Sequence, residues 1–148
     1  MNFEAELRNG CFCAHLKSDT KEGVIAEMVD ALVAQGRLQD REAAIRAVMA
    51  RECTMSTGMQ HGVALPHGKT AAVGKMVTVL ALKKEGLDFG ALDGQPSRIF
   101  VMTISPVNVT GPHLQYLGAI SRILSCPAVR DQLMTAANAE EIIRALTE

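Results

Sequence analysis

The chain has 148 residues, a formal net charge of −1, 48% hydrophobic and 21% charged residues, which is enough to bury a core in ordinary globular proportions. Only 3% of residues are aromatic and tryptophan is absent, so stacking platforms for single-stranded nucleic acid are excluded. Without a basic stripe there is no electrostatic footprint for a polyanion partner either.

No apolar run approaches the ~20 residues of a membrane-spanning helix. The opening "MNFEAELRNG" carries acidic residues and no apolar signal core. No membrane insertion is expected, and the expected compartment is the cytoplasm. The four cysteines (Cys11, Cys13, Cys53 and Cys126) are then expected to be reduced, largely buried thiols.

"CFCAHLK" reads as a short strand. It sets Cys11, Cys13 and His15 on one face, but three ligands at period two match none of the usual zinc spacings. In "SDTKEGVIAEMVDALVAQG", Asp19 followed by Glu22 reads as a capping box with Asp as the cap. Val24, Ile25, Met28, Val29, Leu32 and Val33 recur at helical spacing, and Gly36 supplies the stop. A second helix starts near Asp40 and runs through "REAAIRAVMARE", with Ile45, Val48 and Met49 inward and Arg51 near its end.

"ECTMSTGMQ" breaks regular structure before the strand "GVALPHGK". "GKMVTVLALKKEGL" and "RIFVMTISP" are strands, separated by a tight turn at Asp93-Gly94. Pro112 suits the first position of a helix with Leu114, Leu117, Ile120 and Leu124 on one side. Pro127 opens a short helix, and Asn138 with Glu141 starts a last one. The pattern predicts one α/β domain spanning residues 1–148, a mixed β-sheet flanked by helices on both sides.

Two histidines stand out. Pro66 holds Leu65 extended and weakens ladder pairing, so His67 is expected at a strand end facing a cleft, with Gly68 leaving room for its ring. His113 falls in the first turn of a helix, where positive potential disfavours imidazolium and suits an oxyanion. A neutral imidazole can attack phosphorus, and a second imidazole with an arginine can neutralise the phosphoryl oxygens. That His67, His113 and Arg51 meet in space is not readable from the sequence.

"MAREC…STGMQHGVALPHGK", "LDFGALDGQPSRIFVMTISP" and "HLQYLGAISRIL" together resemble the fructose/mannitol-type enzyme IIA domain of the bacterial sugar phosphotransferase system, from about Thr20 onward. The resemblance implies the mannitol-type mixed sheet flanked by helices. It implies that His67 accepts phosphate from the phosphocarrier HPr or a relative and passes it to a cysteine on an enzyme IIB. It implies that His113 supports the phosphorylated ring, that Arg51 holds phosphate, and that no metal or organic cofactor takes part.

Gln60 and His61 depart from the family pattern before Gly62. His61 is either a further phosphate or partner contact or an exposed loop residue. The resemblance covers both sugar-uptake components and nitrogen-type regulators, which bind other proteins according to phosphorylation state. With no attached membrane or enzyme IIB domain, the reading leans to the regulator; sugar, downstream target and oligomeric state are unreadable. Two alternatives stand beside it, a phosphorylation-independent binding module on the same fold and a metal-dependent hydrolase using His61, His67 and His113.

Overall fold

The computed structural model describes residues 2–148. The central strands are β4 (Val77–Leu87) and β5 (Ser97–Ser105), which pair antiparallel. β1 (Cys11–Cys13) pairs parallel with the outer side of β4. On the other edge, β2 (Val63–Ala64) and β3 (His67–Lys69) pair parallel with β5, giving the order β1-β4-β5-β2 with β3 further along β5. The sheet is mixed, as expected.

Both faces of the central strands are buried, and period-two alternation divides their side chains between two cores. Val77, Val79, Ala81, Phe100, Met102 and Ile104 pack under α2 (Lys21–Ala34) and α3 (Arg41–Thr54). Leu80, Leu82, Ile99 and Val101 face α4 (Gly111–Leu124), α5 (Pro127–Met134) and α6 (Ala139–Thr147). Each fully buried Leu, Ile or Val contributes about 1.5–3 kcal/mol, so two such layers anchor the sheet firmly. The flanking of both faces by helices agrees with the sequence pattern. Among the described residues no helix is long and apolar enough to cross a membrane.

The differences are local. A short helix α1 (Phe3–Arg8), capped by Asn2, has no counterpart in the sequence reading; six residues with Leu7 alone fully buried carry too little periodicity. Thr20, not Asp19, caps α2: Thr20 Oγ1 accepts from Gly23 N at 3.0 Å, while Asp19 accepts from Lys83 Nζ. The α3 helix continues through Glu52, Cys53 and Thr54, so the break comes at Met55 rather than Glu52. On α4 the inward face is His113, Tyr116, Ile120 and Leu124; Leu114 is 61% exposed. Of the four thiols, Cys53 and Cys126 are exposed, because both lie at helix ends outside the apolar stripes.

Pro66 interrupts its strand without ending it. The parallel register with β5 resumes beyond it, with His67 opposite Thr103 and Lys69 opposite Ser105. The proline carbonyl still accepts from Thr103 N at 3.1 Å, and on an edge strand the missing amide hydrogen is tolerated. His67 therefore opens β3 instead of terminating a strand.

Gly68 lets α3 lie directly on β3. A Cβ there would sit 2.9 Å from the Ala47 carbonyl carbon and the Val48 amide nitrogen, both backbone atoms of α3. Gly68→Ala should destabilise the fold by about 1–3 kcal/mol, the scale of overpacking in a tight core. Urea unfolding measures this, and an unchanged midpoint would contradict the close approach.

Candidate functional site

His67, Gly68 and Lys69 on β3, Ala47 and Arg51 on α3, and His113 and Leu114 on α4 line one cavity of about 320 Å³. The three residues singled out from the sequence thus come together. Because β3 alternates, His67 and Lys69 share the face that Gly68 does not occupy.

His67 is half-buried, and its Nδ1 lies 2.8 Å from the Leu65 carbonyl oxygen. A carbonyl can only accept, so Nδ1 carries the proton and Nε2 keeps a lone pair. The His113 ring stands 5.4 Å away between centroids, at 64° to it. His113 is only 3% exposed, and its Nδ1 lies 2.7 Å from the Ser105 hydroxyl. Burial, with smaller contributions from neighbouring His67 and Lys69, pushes its pKa down to about 4, so the ring is neutral at pH 7.

Arg51 occupies the last turn of α3. Its Nη1 donates to the Met55 carbonyl at 2.8 Å and to Thr54 Oγ1 at 3.3 Å, which tethers the guanidinium to the helix end. The chain beyond is held by Glu52, which accepts from Lys21 Nζ, Thr57 N and Thr57 Oγ1 at 2.6–2.9 Å. Burial by itself would raise the Glu52 pKa, but these hydrogen bonds outweigh it and the net shift is downward. Lys69 Nζ donates to Thr110 Oγ1 at 2.9 Å, tying β3 to the start of α4. Arg51 and Lys69 are cationic and no carboxylate lines the cavity, so its electrostatics favour an anion.

His61 is not part of it. It lies in a three-residue 3₁₀ turn with φ of 65°, its amide donating to Asp93 Oδ2 at 3.0 Å, and faces a separate groove with Met59, Val63, Leu92 and Leu124. A phosphate role for His61 and a hydrolase built on His61, His67 and His113 both fail on this separation. Among the described residues no group of three His, Cys, Asp or Glu side chains is placed to hold a metal ion, Cys11, Cys13 and His15 included.

Two residues at the site escaped the sequence reading. Lys69 had a usable signal, since the second residue after His67 on a strand shares its face. Ser105 had none, because it reaches His113 only through the way α4 folds back on the end of β5.

The sheet order, the edge-strand histidine and its buried helix-start partner define a mixed α/β protein with a histidine-lined cavity at the sheet edge. Residues 7–148 match the family described as "Phosphoenolpyruvate-dependent sugar phosphotransferase system, EIIA 2", and the chain belongs to that family as one of its phosphotransfer components. It is 39% identical over 87% of its length to the PTS system fructose-specific EIIA component of Haloferax volcanii, 84% of which is covered. The crystal structure of nitrogen regulatory protein IIA-Ntr from Neisseria meningitidis superimposes with a TM-score of 0.85 at 29% identity, covering 95% of this chain and 94% of that one. A chain from the complex of enzyme IIA and phosphorylated enzyme IIB of the Escherichia coli mannitol system shares the fold, with a TM-score of 0.76 at 24% identity over 91% of this chain and 92% of that one.

The depressed His113 pKa makes stability depend on pH. In the unfolded chain the ring titrates near 6.5, so its contribution is complete above that value and drains as pH falls toward about 4. Between pH 7 and pH 5 the intact protein should lose on the order of 1–2 kcal/mol more than His113→Gln. Denaturant titrations of both proteins at the two pH values provide the check; identical losses would mean that His113 is not held neutral.

Proposed function

We propose that the protein, as one domain, carries a phosphoryl group on His67 Nε2, taking it from a phosphohistidine of an HPr-like carrier and surrendering it to a cysteine of an enzyme IIB. The observation that carries this reading is the Leu65 carbonyl on His67 Nδ1, which leaves Nε2 as the nucleophile beside a neutral imidazole and two cationic side chains. The exchange is assigned to the cytoplasm, the compartment of its phosphate donors.

In the accepting step the Nε2 lone pair forms the new bond to phosphorus as the bond to the donor nitrogen breaks, its electron pair returning to the donor ring. Positive charge builds on the His67 ring, and the Leu65 carbonyl stabilises it through the Nδ1 proton. With that proton kept, the ring departs as neutral imidazole when a thiolate attacks phosphorus, so the same hydrogen bond serves both directions. Arg51 and Lys69 balance the charge on the phosphoryl oxygens, and His113 donates to them.

The complex of mannitol enzyme IIA with phosphorylated enzyme IIB supports an enzyme IIB as the acceptor. The likeness to a nitrogen regulatory protein favours a second reading, in which a regulated protein distinguishes the phosphorylated from the free state. Both need the same phosphohistidine.

Incubation with phosphoenolpyruvate, enzyme I and HPr, or their nitrogen-branch equivalents, should give acid-labile, base-stable label that is absent from His67→Ala. Label persisting in that variant would remove His67 from the role; a wild-type chain that never labels yet binds a partner would establish the phosphorylation-independent module. Arg51→Ala should slow acceptance by about 30–150-fold, the loss of one charge-assisted donor worth about 2–3 kcal/mol. His113→Ala should keep part of the acceptance and lose most of the onward transfer to enzyme IIB. Equal, complete loss of acceptance in His67→Ala and His113→Ala would overturn that division.

A further inference from the structure

The last residue of β5 is Ser105, fully buried and paired with Lys69. Its carbonyl accepts from Thr70 N at 2.9 Å, so the backbone is satisfied by the strand beside it. Its hydroxyl meets a single partner among the described residues, His113 Nδ1 at 2.7 Å. Geometry allows two directions for that bond, and proton accounting separates them.

A hydroxyl has one hydrogen to give and two lone pairs to receive with. If His113 donated from Nδ1, the serine hydrogen would be left in the core with no acceptor, at a cost of about 1–3 kcal/mol. If Ser105 donates, its hydrogen and the Nδ1 lone pair are both satisfied, and only spare oxygen lone pairs go unused. The serine is therefore the donor. The ring proton of His113 then sits on Nε2, the nitrogen left for the cavity.

The two imidazoles consequently hold opposite tautomers, each set by what faces its Nδ1. The Leu65 carbonyl can only accept, so His67 keeps its proton inside and shows a lone pair to the cavity. The Ser105 hydroxyl gives its hydrogen inward, so His113 shows an N–H. With the tautomers exchanged, His67 would have no nucleophilic pair and His113 would set a lone pair against the phosphoryl oxygens.

We propose that Ser105 is a positioning residue that, by donating to His113 Nδ1, holds His113 as its Nε2–H tautomer and so makes it the hydrogen-bond donor to the transferring phosphoryl group. The consequence for transfer rests on the phosphocarrier reading; the tautomer does not.

Nitrogen-15 spectra of the histidine-labelled wild-type chain at pH 7 test the tautomer directly. His113 should show a protonated, pyrrole-type Nε2 and an unprotonated, pyridine-type Nδ1; the reverse pattern overturns the proposal whether or not the protein ever carries phosphate. Ser105→Ala should shift the ring toward a mixture of tautomers and slow onward transfer about five- to twenty-fold, the scale of one hydrogen bond. Ser105→Thr, which restores the hydroxyl, should recover both the spectrum and the rate. A folded Ser105→Ala protein with the wild-type spectrum and rate would remove Ser105 from this role. Should the wild type itself take no label, the phosphocarrier reading falls, and the spectra still decide the tautomer.

Discussion

Parallel pairing of His67, Gly68 and Lys69 with Thr103, Ile104 and Ser105 builds the cavity. Because side chains alternate, this register turns His67 and Lys69 to the α4 side and presents the one residue without a Cβ to α3. A slip of one residue would reverse all three, pushing a side chain into the α3 backbone and burying the wrong faces. The same register brings Ser105 level with Lys69 at the foot of α4, where it meets His113. Pro66 assists by holding Leu65 extended, which keeps its carbonyl within reach of the His67 ring.

On the proposed phosphocarrier reading, the electrostatics suit a group that is both held and released. Two lined-up imidazolium rings with an arginine and a lysine would bind a phosphoryl dianion tightly, and charge-assisted hydrogen bonds are roughly twice as strong as neutral ones. Burying His113 removes one of those charges, and the proposed tautomer leaves a neutral donor in its place. Arg51 is restrained by its own helix end and Lys69 by Thr110, so neither cation has to be reorganised when charge develops.

Much of the architecture was legible in the sequence because it rests on local rules. Near-continuous, β-branched apolar runs in "VTVLAL" and "RIFVMTIS" announce well-buried strands, and the spacing of Val24, Ile25, Met28, Val29 and Leu32 announces α2. The helix starts near Asp40 and at Asn138 were equally plain, and both side chains cap as short oxygen-bearing residues before a helix do. Thr20 lies one residue beyond the Asp19 expected as cap, and both residue types can cap, so identity alone does not choose between them. Leu114 looked like core by spacing, yet the inward stripe of α4 starts instead at His113, a polar residue that hydropathy sends outward.

The sequence by itself determined the element types, the mixed sheet with helices on both faces, and the peculiarity of a proline-histidine step in an apolar strand. Those follow from periodicity, capping and backbone restriction, which act over a few residues. Only the tertiary structure decided that Arg51, His67 and His113 share one cavity while His61 does not, that Lys69 lines it too, and that Ser105 backs His113 from the core. Residues on α3, β3, β5 and α4 are brought together by strand register, by α3 lying against Gly68 and by the way α4 folds back on β5, contacts that no local pattern encodes.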